Sequence, residues 1–222
     1  GIPLRNSSDA QIHNRDSDGF ILNLPVIEGC LLGDGSLKVY NKKSSICKAS
    51  FQKKNIHHDH VMFVANQIFT KNPEDRIKKS GNKVNGKFYS YFCLSSYKYK
   101  SLRDLYDKWY PDWNNQKKII PEDLNVSAEM LLHMFLDDGS SHQRRKESKT
   151  KQIVITLSTQ CFEKENQEMF IDKVKSKFGL QMSVNATGDG TGWRVQIPQS
   201  QTPLFYEIIG PPPVESLAYK WK

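Results

Sequence analysis

Two apolar segments of this chain each end in an aspartate followed by a glycine, and the aspartates, Asp34 and Asp138, lie 104 residues apart. The segments have the apolar content of helices, and a glycine at this position predicts that each helix ends there. A carboxylate at a helix C-terminus opposes the helix dipole, at a cost of about 0.3–1 kcal/mol. Two such ends brought together would also place two negative charges side by side, which disfavours ionisation of both. A divalent cation would relieve both costs because hard cations prefer oxygen ligands, so the pair predicts a metal site.

The net charge of the chain points to a nucleic-acid partner. Its 222 residues include 32 Lys and Arg against 24 Asp and Glu, which gives a formal net charge of +8. Such an excess favours a polyanion. We expect no membrane partner, because no apolar run is long enough to span a bilayer and no N-terminal segment resembles a signal peptide.

The four cysteines are far apart and include no CxxC pair, so they predict reduced thiols and neither a disulfide framework nor a zinc cage. The many lysines and asparagines, whose codons are AT-rich, favour an AT-rich source. We expect an intracellular protein from a mitochondrion or chloroplast, with a bacterial source as the alternative.

The sequence predicts one order of elements twice. After Asp34, residues 36–40 and 46–53 alternate apolar and polar side chains, as in a hairpin with one buried face. Residues 153–158 alternate in the same way after Asp138. Each half follows the order helix, hairpin, helix, hairpin, helix. The last helix is expected over residues 202–209, because Gly210 and Pro211 would end it. We therefore expect an N-terminal arm over residues 1–20, a first half over 21–110, a linker over 111–126 and a second half over 127–222.

Each half also carries a lysine at a matching distance from its aspartate. Lys118 follows Asp34 by 84 residues, and Lys220 follows Asp138 by 82. The chain contains 25 lysines, so ordinary surface positions are an alternative for both. The repeated spacing favours a shared role near the two carboxylates.

These features resemble the LAGLIDADG homing endonucleases, specifically the single-chain kind with two motifs. Residues 27–35 and 131–139 match the two signature nonamers, and the sequences around Lys118 and Lys220 are similar to the basic positions of the yeast mitochondrial omega-intron subgroup. The resemblance implies an α+β fold in which an αββαββα unit is duplicated with pseudo-two-fold symmetry. It places the motif helices at the interface and two antiparallel sheets as a saddle on DNA.

The resemblance also implies the function. The family members are sequence-specific endonucleases that hydrolyse both strands of a long double-stranded DNA target across the minor groove and leave short 3′ overhangs. We expect a monomer that uses Mg²⁺, with Ca²⁺ or Mn²⁺ as substitutes. The implied metal site comprises Asp34, Asp138, Gly33 and Asp137, and the implied catalytic residues are Asp34, Asp138, Lys118, Lys220, Gln52 and Ser158.

Lysine-rich segments follow both motifs. Residues 36–54 hold six lysines and no acid, and residues 140–152 hold five lysines and arginines against one acid. We expect them to contact phosphates, which supply much of the affinity for DNA. The exposed faces of the strands are predicted to contact base edges, because a two-stranded ribbon fits the major groove. The predicted DNA contacts are Lys38, Tyr40, Lys42, Lys43, Lys48, Ser50, Lys53, Arg76, Lys78, Tyr89, Tyr91, Arg144, Arg145, Lys149, Gln152, Thr156, Asn185, Arg194 and Gln196.

The packing of the two motif helices is only partly specified. Gly29 and Gly33 lie on one face of the first helix and would let another backbone approach closely. The second motif has His133 and Asp137 at these positions, so the symmetry of the contact is open. His133 is typical of a buried core histidine, and Asp137 is either a metal ligand or a structural neighbour.

Three alternatives remain at this point. The segment 57–60, His-His-Asp-His, could suggest zinc, but no second cluster completes a four-ligand set. An intron maturase of the same fold is the second alternative, and loss of a motif acid would have favoured it. A non-catalytic DNA-binding module is the third, and the paired lysines and carboxylates argue against it.

Overall fold

The computed structural model describes residues 19–39, 48–112, 114–143, 153–188, 190 and 192–221. These residues divide into two compact units. The first contains residues 19–27 and 35–107, and the second contains residues 28–34 and 108–221. The first motif helix therefore begins in one unit and ends in the other.

The first unit contains two hairpins and three helices in the predicted order. Helix α1 continues from this unit into the second one. The elements are α1 (Leu24–Leu32), β1 (Ser36–Val39), β2 (Ala49–Asn55), α2 (His58–Ile68), a 3-10 turn (Pro73–Arg76), β3 (Ile77–Val84), β4 (Lys87–Ser95) and α3 (Lys100–Trp109).

The second unit repeats this order. Its elements are α4 (Ala128–Asp138), β5 (Gly139–Gln143), β6 (Ile153–Leu157), α5 (Lys164–Phe178), β7 (Ser183–Ala186), β8 (Trp193–Ile197), a 3-10 turn (Gln199–Gln201), α6 (Thr202–Ile209) and a C-terminal 3-10 helix (Glu215–Lys220). The predicted last helix, 202–209, has the observed bounds.

The two sheets have the same topology, which confirms the predicted duplication. The strand orders are β1-β2-β4-β3 and β5-β6-β8-β7, and all neighbouring strands are antiparallel. Alternation along each strand creates the cores: Leu37 lies opposite Phe51 in the first sheet, and Leu157 lies opposite Val195 in the second. All four side chains are buried. The α+β fold class is therefore the one that the sequence predicts.

The second motif helix ends at Asp138, directly before Gly139, as the sequence predicts. Gly139 has φ −82° and ψ 142°, an extended conformation open to any residue, and not the left-handed one. Glycine is needed there for space, because a Cβ would lie 2.0 Å from the Phe135 ring and 2.5 Å from the Phe135 carbonyl oxygen. The predicted end of the helix at this glycine is therefore confirmed, and the glycine is required for space, not for a left-handed conformation.

Two smaller predictions can also be compared with the structure. Cys30, Cys93 and Cys161 are free thiols, as expected. Among the described residues, we find no helix with the length and apolar character needed to cross a membrane.

Candidate catalytic centre

The C-terminal part of α1 packs against α4 through its two glycines. A Cβ on Gly29 would lie 2.6 Å from the carbonyl oxygen of Met130 and 2.7 Å from the Cβ of His133. A Cβ on Gly33 would lie 2.5 Å from the Cβ of Asp137. Only glycine allows this approach, so the contact combines two glycines on one helix with two larger residues on the other.

The contact between the two motif segments is not symmetric, because glycines on one side pack against larger residues on the other. The side chain of His133 is fully buried, as predicted, and its Nδ1 lies 4.0 Å from the Sγ of Cys30. The contact thus has different residues on its two sides, although the elements around it are duplicated.

The two motif aspartates occupy different backbone settings. Asp138 is the last residue of α4, and its carbonyl oxygen accepts a hydrogen bond from the backbone N–H of Ser158 at 2.9 Å. Asp34 lies two residues beyond the end of α1, in a turn, and its side chain is exposed. The structure therefore places Ser158 beside Asp138, whereas Asp34 depends on contacts outside its helix.

Lys118 is bound to the end of the first motif helix. Its Nζ donates to the carbonyl oxygens of Leu31 and Gly33, each at 2.8 Å. These carbonyl oxygens lie at the C-terminal end of the helix, where no backbone N–H of the helix is available to donate to them. Lys118 therefore satisfies them and places a positive charge where the helix dipole is negative.

Lys220 makes the matching contacts at the second motif helix. Its Nζ donates to the carbonyl oxygens of Phe135, Leu136 and Asp137 at 3.1, 2.7 and 3.2 Å. The residue is only 6% exposed. The repeated spacing of acid and lysine in the sequence thus corresponds to a repeated contact between each lysine and the helix that carries its acid.

A small network holds the backbone of Lys220. Its carbonyl oxygen accepts hydrogen bonds from the hydroxyl of Ser141 at 2.6 Å and from the hydroxyl of Tyr206 at 3.0 Å. The next residue, Trp221, packs edge-on against the ring of Phe135 at a centroid distance of 4.9 Å. The chain around Lys220 is therefore held by residues of β5, α6 and α4.

The charges around Lys118 show that the acidic groups share one locality. Burial lowers the pKa of Lys118, whereas the Cys161 thiol and the carboxylates of Asp138, Asp137 and Asp34 act in the opposite direction. All three aspartates therefore lie within electrostatic reach of one ammonium group.

Two neighbours of Lys118 are not among the predicted site residues. Cys161 is exposed as a residue, but its thiol is shielded enough that burial raises its pKa, and Lys118 partly counters this effect. The ring of Phe162 lies 5.7 Å from the Lys118 Nζ, within cation–π range. Both residues lie in the connection between β6 and α5.

The pairing of strands identifies the counterpart of Gln52 in the second sheet. Gln52 lies opposite Ser36, two residues after Asp34. In the second sheet, the residue opposite Ser140, two residues after Asp138, is Thr156. By strand register, the counterpart of Gln52 is thus Thr156 and not Ser158.

The structure corrects one predicted DNA contact. Lys53 is fully buried, because strand alternation places it on the same face as Phe51, toward the core. Its predicted direct contact with DNA is therefore wrong. Ser50 and Thr156 are 4% and 5% exposed, which leaves little of either side chain on the surface.

Other predicted contacts lie at or near the surface. Lys38, Lys48, Lys78 and Tyr89 are exposed, and Tyr91, Asn185, Arg194 and Gln196 are partly exposed. Arg76 lies on a 3-10 turn and not on a strand. Its guanidinium group is 3.9 Å from the centre of the Tyr97 ring. Seven predicted contacts fall outside the described residues: Tyr40, Lys42, Lys43, Arg144, Arg145, Lys149 and Gln152.

Comparison with known proteins identifies the family. The sequence profile of the LAGLIDADG DNA endonuclease family matches residues 24–205, which is most of the chain. The chain therefore belongs to the LAGLIDADG DNA endonuclease family. This membership confirms the predicted resemblance and the predicted class of function, a DNA endonuclease, over the maturase alternative.

Two known proteins illustrate the likeness. Probable intron-encoded endonuclease 1 of the yeast Wickerhamomyces canadensis is 27% identical over 197 residues, which are 86% of this chain and 80% of that protein. The homing endonuclease I-WcaI, solved bound to its DNA recognition sequence, matches the structure with a TM-score of 0.75. The alignment has 22% identity and covers 98% of this chain and 94% of that one, so it supports the fold.

Proposed function

We propose that this chain is a sequence-specific homing endonuclease that hydrolyses both strands of a long double-stranded DNA target across the minor groove, with Mg²⁺ as its cofactor. Cleavage leaves short 3′ overhangs, and the enzyme acts as a monomer because one chain carries both motifs. A mitochondrial or chloroplast source remains part of the proposal, and the intron-encoded yeast relative is compatible with it.

The observation that carries this proposal is the contact between the C-terminal ends of the two motif segments. The backbone N–H of Asp34 donates to the carboxylate of Asp137, which is adjacent to Asp138 in the second motif, at 3.3 Å. The close approach of Gly29 and Gly33 to α4 explains how the two chain segments come together. Two carboxylates from two repeats suit a reaction that must be carried out on two strands.

The donor set fits magnesium bound jointly with DNA. Among the described residues, no group of three or more His, Cys, Asp and Glu side chains is arranged to hold a metal. Mg²⁺ commonly binds one or two carboxylates and completes its shell with waters and substrate phosphates. Asp34 and Asp138 would hold it, and Gly33 and Asp137 are the neighbouring residues that the family resemblance adds to the metal site. When bound, Mg²⁺ would polarise the phosphate and lower the pKa of a water molecule.

The lysines have two tasks in this proposal. Each satisfies the last carbonyls of its motif helix and so fixes the backbone from which the carboxylate projects. Each also contributes positive charge near the position where a phosphate would gain negative charge. Lys118 and Lys220 therefore orient the backbone that carries the carboxylates and offset the negative charge on the phosphate. Neither lysine has to accept a proton.

Binding is proposed to rest on phosphate contacts from basic residues on both sheets. In the first unit, Lys38, Lys48 and Lys78 are exposed on strands or beside them. In the second unit, Asn185, Arg194 and Gln196 form neighbouring positions of β7 and β8, and the Asn185 side chain donates to the Gln196 side chain at 3.0 Å. Such pre-oriented amide and guanidinium groups suit the reading of base edges.

The test starts from a randomised duplex library, because the target sequence is unknown. Bound duplexes are selected with Ca²⁺, cloned into a plasmid and incubated with enzyme and Mg²⁺. Wild-type protein should linearise the selected plasmid, whereas Asp34→Asn and Asp138→Asn should bind with similar affinity and fail to cut. Linearisation by either variant at the wild-type rate would refute the assigned roles.

A further inference from the structure

The second motif contains two adjacent acids, and only one of them has a counterpart in the first motif. Asp138 matches Asp34, whereas Asp137 occupies the position of Gly33. The Oδ2 of Asp137 accepts a hydrogen bond from the backbone N–H of Asp34 at 3.3 Å. A Cβ on Gly33 would lie 2.8 Å from this same oxygen. The Asp137 carboxylate therefore lies directly against the backbone that leads to Asp34.

The peptide group that joins Gly33 to Asp34 is held at both ends. Its carbonyl oxygen, from Gly33, accepts a hydrogen bond from Lys118 at 2.8 Å, and its N–H, from Asp34, donates to Asp137. A peptide group is planar, so contacts at its oxygen and its N–H together fix its orientation. That orientation sets the direction in which the Asp34 side chain leaves the backbone.

Asp34 needs this support more than Asp138 does. Helix α1 ends at Leu32, so Asp34 lies in a turn, whereas Asp138 is still part of α4 and is also bound through its carbonyl oxygen by Ser158. No reciprocal contact can exist from the first motif, because the residue equivalent to Asp137 there is Gly33, which has no side chain. The support runs from the second motif to the first.

We propose that Asp137 is a positioning residue for Asp34: it fixes the Gly33–Asp34 peptide across the helix contact and so makes the first carboxylate dependent on the second motif. This inference rests on the proposed function, and it assigns Asp137 a role other than that of a metal ligand. The DNA strand whose cleavage depends most on Asp34 should therefore be cut at a rate that depends on both motifs.

The test compares Asp137→Ala, Asp137→Asn and Gly33→Ala with the exposed control Asp104→Ala. Asp137→Ala should slow cleavage of one strand about tenfold, the value of one modest hydrogen bond to a charged group, and nicked plasmid should accumulate. The slowed strand should be the one that Asp34→Asn affects more strongly. The kcat should fall while KM stays unchanged. Asp137→Asn keeps an oxygen acceptor and should restore the rate to within about threefold.

A readout without metal or DNA separates positioning from metal binding. The amide proton of Asp34, followed by NMR hydrogen exchange in EDTA, should exchange about tenfold faster in Asp137→Ala and Gly33→Ala, and nearly as in the wild type in Asp137→Asn. Asp104→Ala should change neither the exchange nor the cleavage.

Three outcomes would overturn the inference. The first is an unchanged exchange rate and unchanged strand rates in Asp137→Ala. The second is an Asp137→Asn variant as slow as Asp137→Ala that recovers with more Mg²⁺, which would make Asp137 a metal ligand. The third is equal slowing of both strands. Should the wild type cut no DNA at all, the proposed function fails, and the exchange of the Asp34 amide still decides the role of Asp137.

Discussion

The ammonium group of Lys220 lies 2.7 Å from the carbonyl oxygen of Leu136, in the last turn of the second motif helix. Lys118 makes the corresponding contact with the first motif helix, at 2.8 Å from the carbonyl oxygen of Leu31. The unfavourable placement of a carboxylate at a helix C-terminus is thus partly relieved within the protein, before any metal binds. The metal that the sequence predicts does not have to supply all of the positive charge.

We expect Lys220→Met to lower the free energy of unfolding by about 2 kcal/mol. The substitution leaves three carbonyl oxygens of α4 without their donor, and hydrogen bonds to a charged group contribute about 1.5–3 kcal/mol each before the cost of burying the charge. Urea unfolding measures the difference. Plasmid cleavage should fall together with stability because the end of α4 carries Asp138.

Lys117→Met is the matched control for this substitution. Lys117 is exposed and forms an ion pair with Glu163, and exposed pairs contribute about 0–1 kcal/mol. Its loss should leave the urea midpoint nearly unchanged. If Lys220→Met were as stable as the wild type, the cost of burying the ammonium would equal or exceed the value of its hydrogen bonds.

A second prediction concerns the helix contact. Gly29→Ala should destabilise the fold by about 1–2 kcal/mol, because the added Cβ would lie 2.6 Å from the Met130 carbonyl oxygen. The higher helix propensity of alanine offsets only part of this steric cost. Urea unfolding again provides the measurement. Gly188→Ala is the control, since nothing lies within 4 Å of its Cβ position. Equal stability of the two variants would mean that α1 and α4 approach less closely than described.

The sequence predicted the elements and the paired residues because both follow local rules. Alternation and helical periodicity depend on near neighbours, so the duplicated order and the last helix, Thr202–Ile209, could be read directly. The similar spacing from Asp34 to Lys118 and from Asp138 to Lys220 corresponds to a matching contact in the structure. Because the chain is duplicated, the position of a residue in one half can be compared with the equivalent position in the other half. A single motif does not allow this comparison.

The contacts across the chain could not be read from the sequence. The hydrogen bond from Asp34 to Asp137 joins residues 103 positions apart, and neither periodicity nor composition reports such a pair. Strand alternation places Lys53 on the buried face, next to Phe51, whereas the number of lysines in the segment suggests a basic surface. Charge counts describe a segment, whereas the face of each residue decides what it contacts.

The affinity for DNA should depend strongly on salt. If roughly 8–10 phosphates are neutralised, the logarithm of the binding constant should fall with the logarithm of the salt concentration at a slope of about −8. Binding of the selected duplex in Ca²⁺, measured by fluorescence anisotropy over a salt series, gives this slope. Lys38→Ala should reduce it by about 1, whereas Lys108→Ala should not, because Lys108 is paired with Asp123. A slope shallower than about −3 would contradict binding through phosphates.

Glu28, within the first motif helix, has an unusual environment for a carboxylate. Burial raises its pKa to about 7, and the nearby Asp123 adds to this effect. The buried indole of Trp109 and the ammonium of Lys108 favour the ionised form, although the indole N–H does not reach regular hydrogen-bond geometry. The pKa in the unfolded chain is near 4.5, so between these values the folded state binds the proton more tightly.

The stability of the protein should therefore fall as the pH rises from about 4.5 to about 7, and Glu28 should account for up to about 3 kcal/mol of that change. Glu28→Gln cannot ionise, so it should be more stable than the wild type at pH 8 and should lose this advantage at pH 4.5. Urea midpoints of both proteins across this range test the prediction, with the exposed Glu122→Gln as control. A constant stability difference between Glu28→Gln and the wild type at all pH values would show that Glu28 titrates normally.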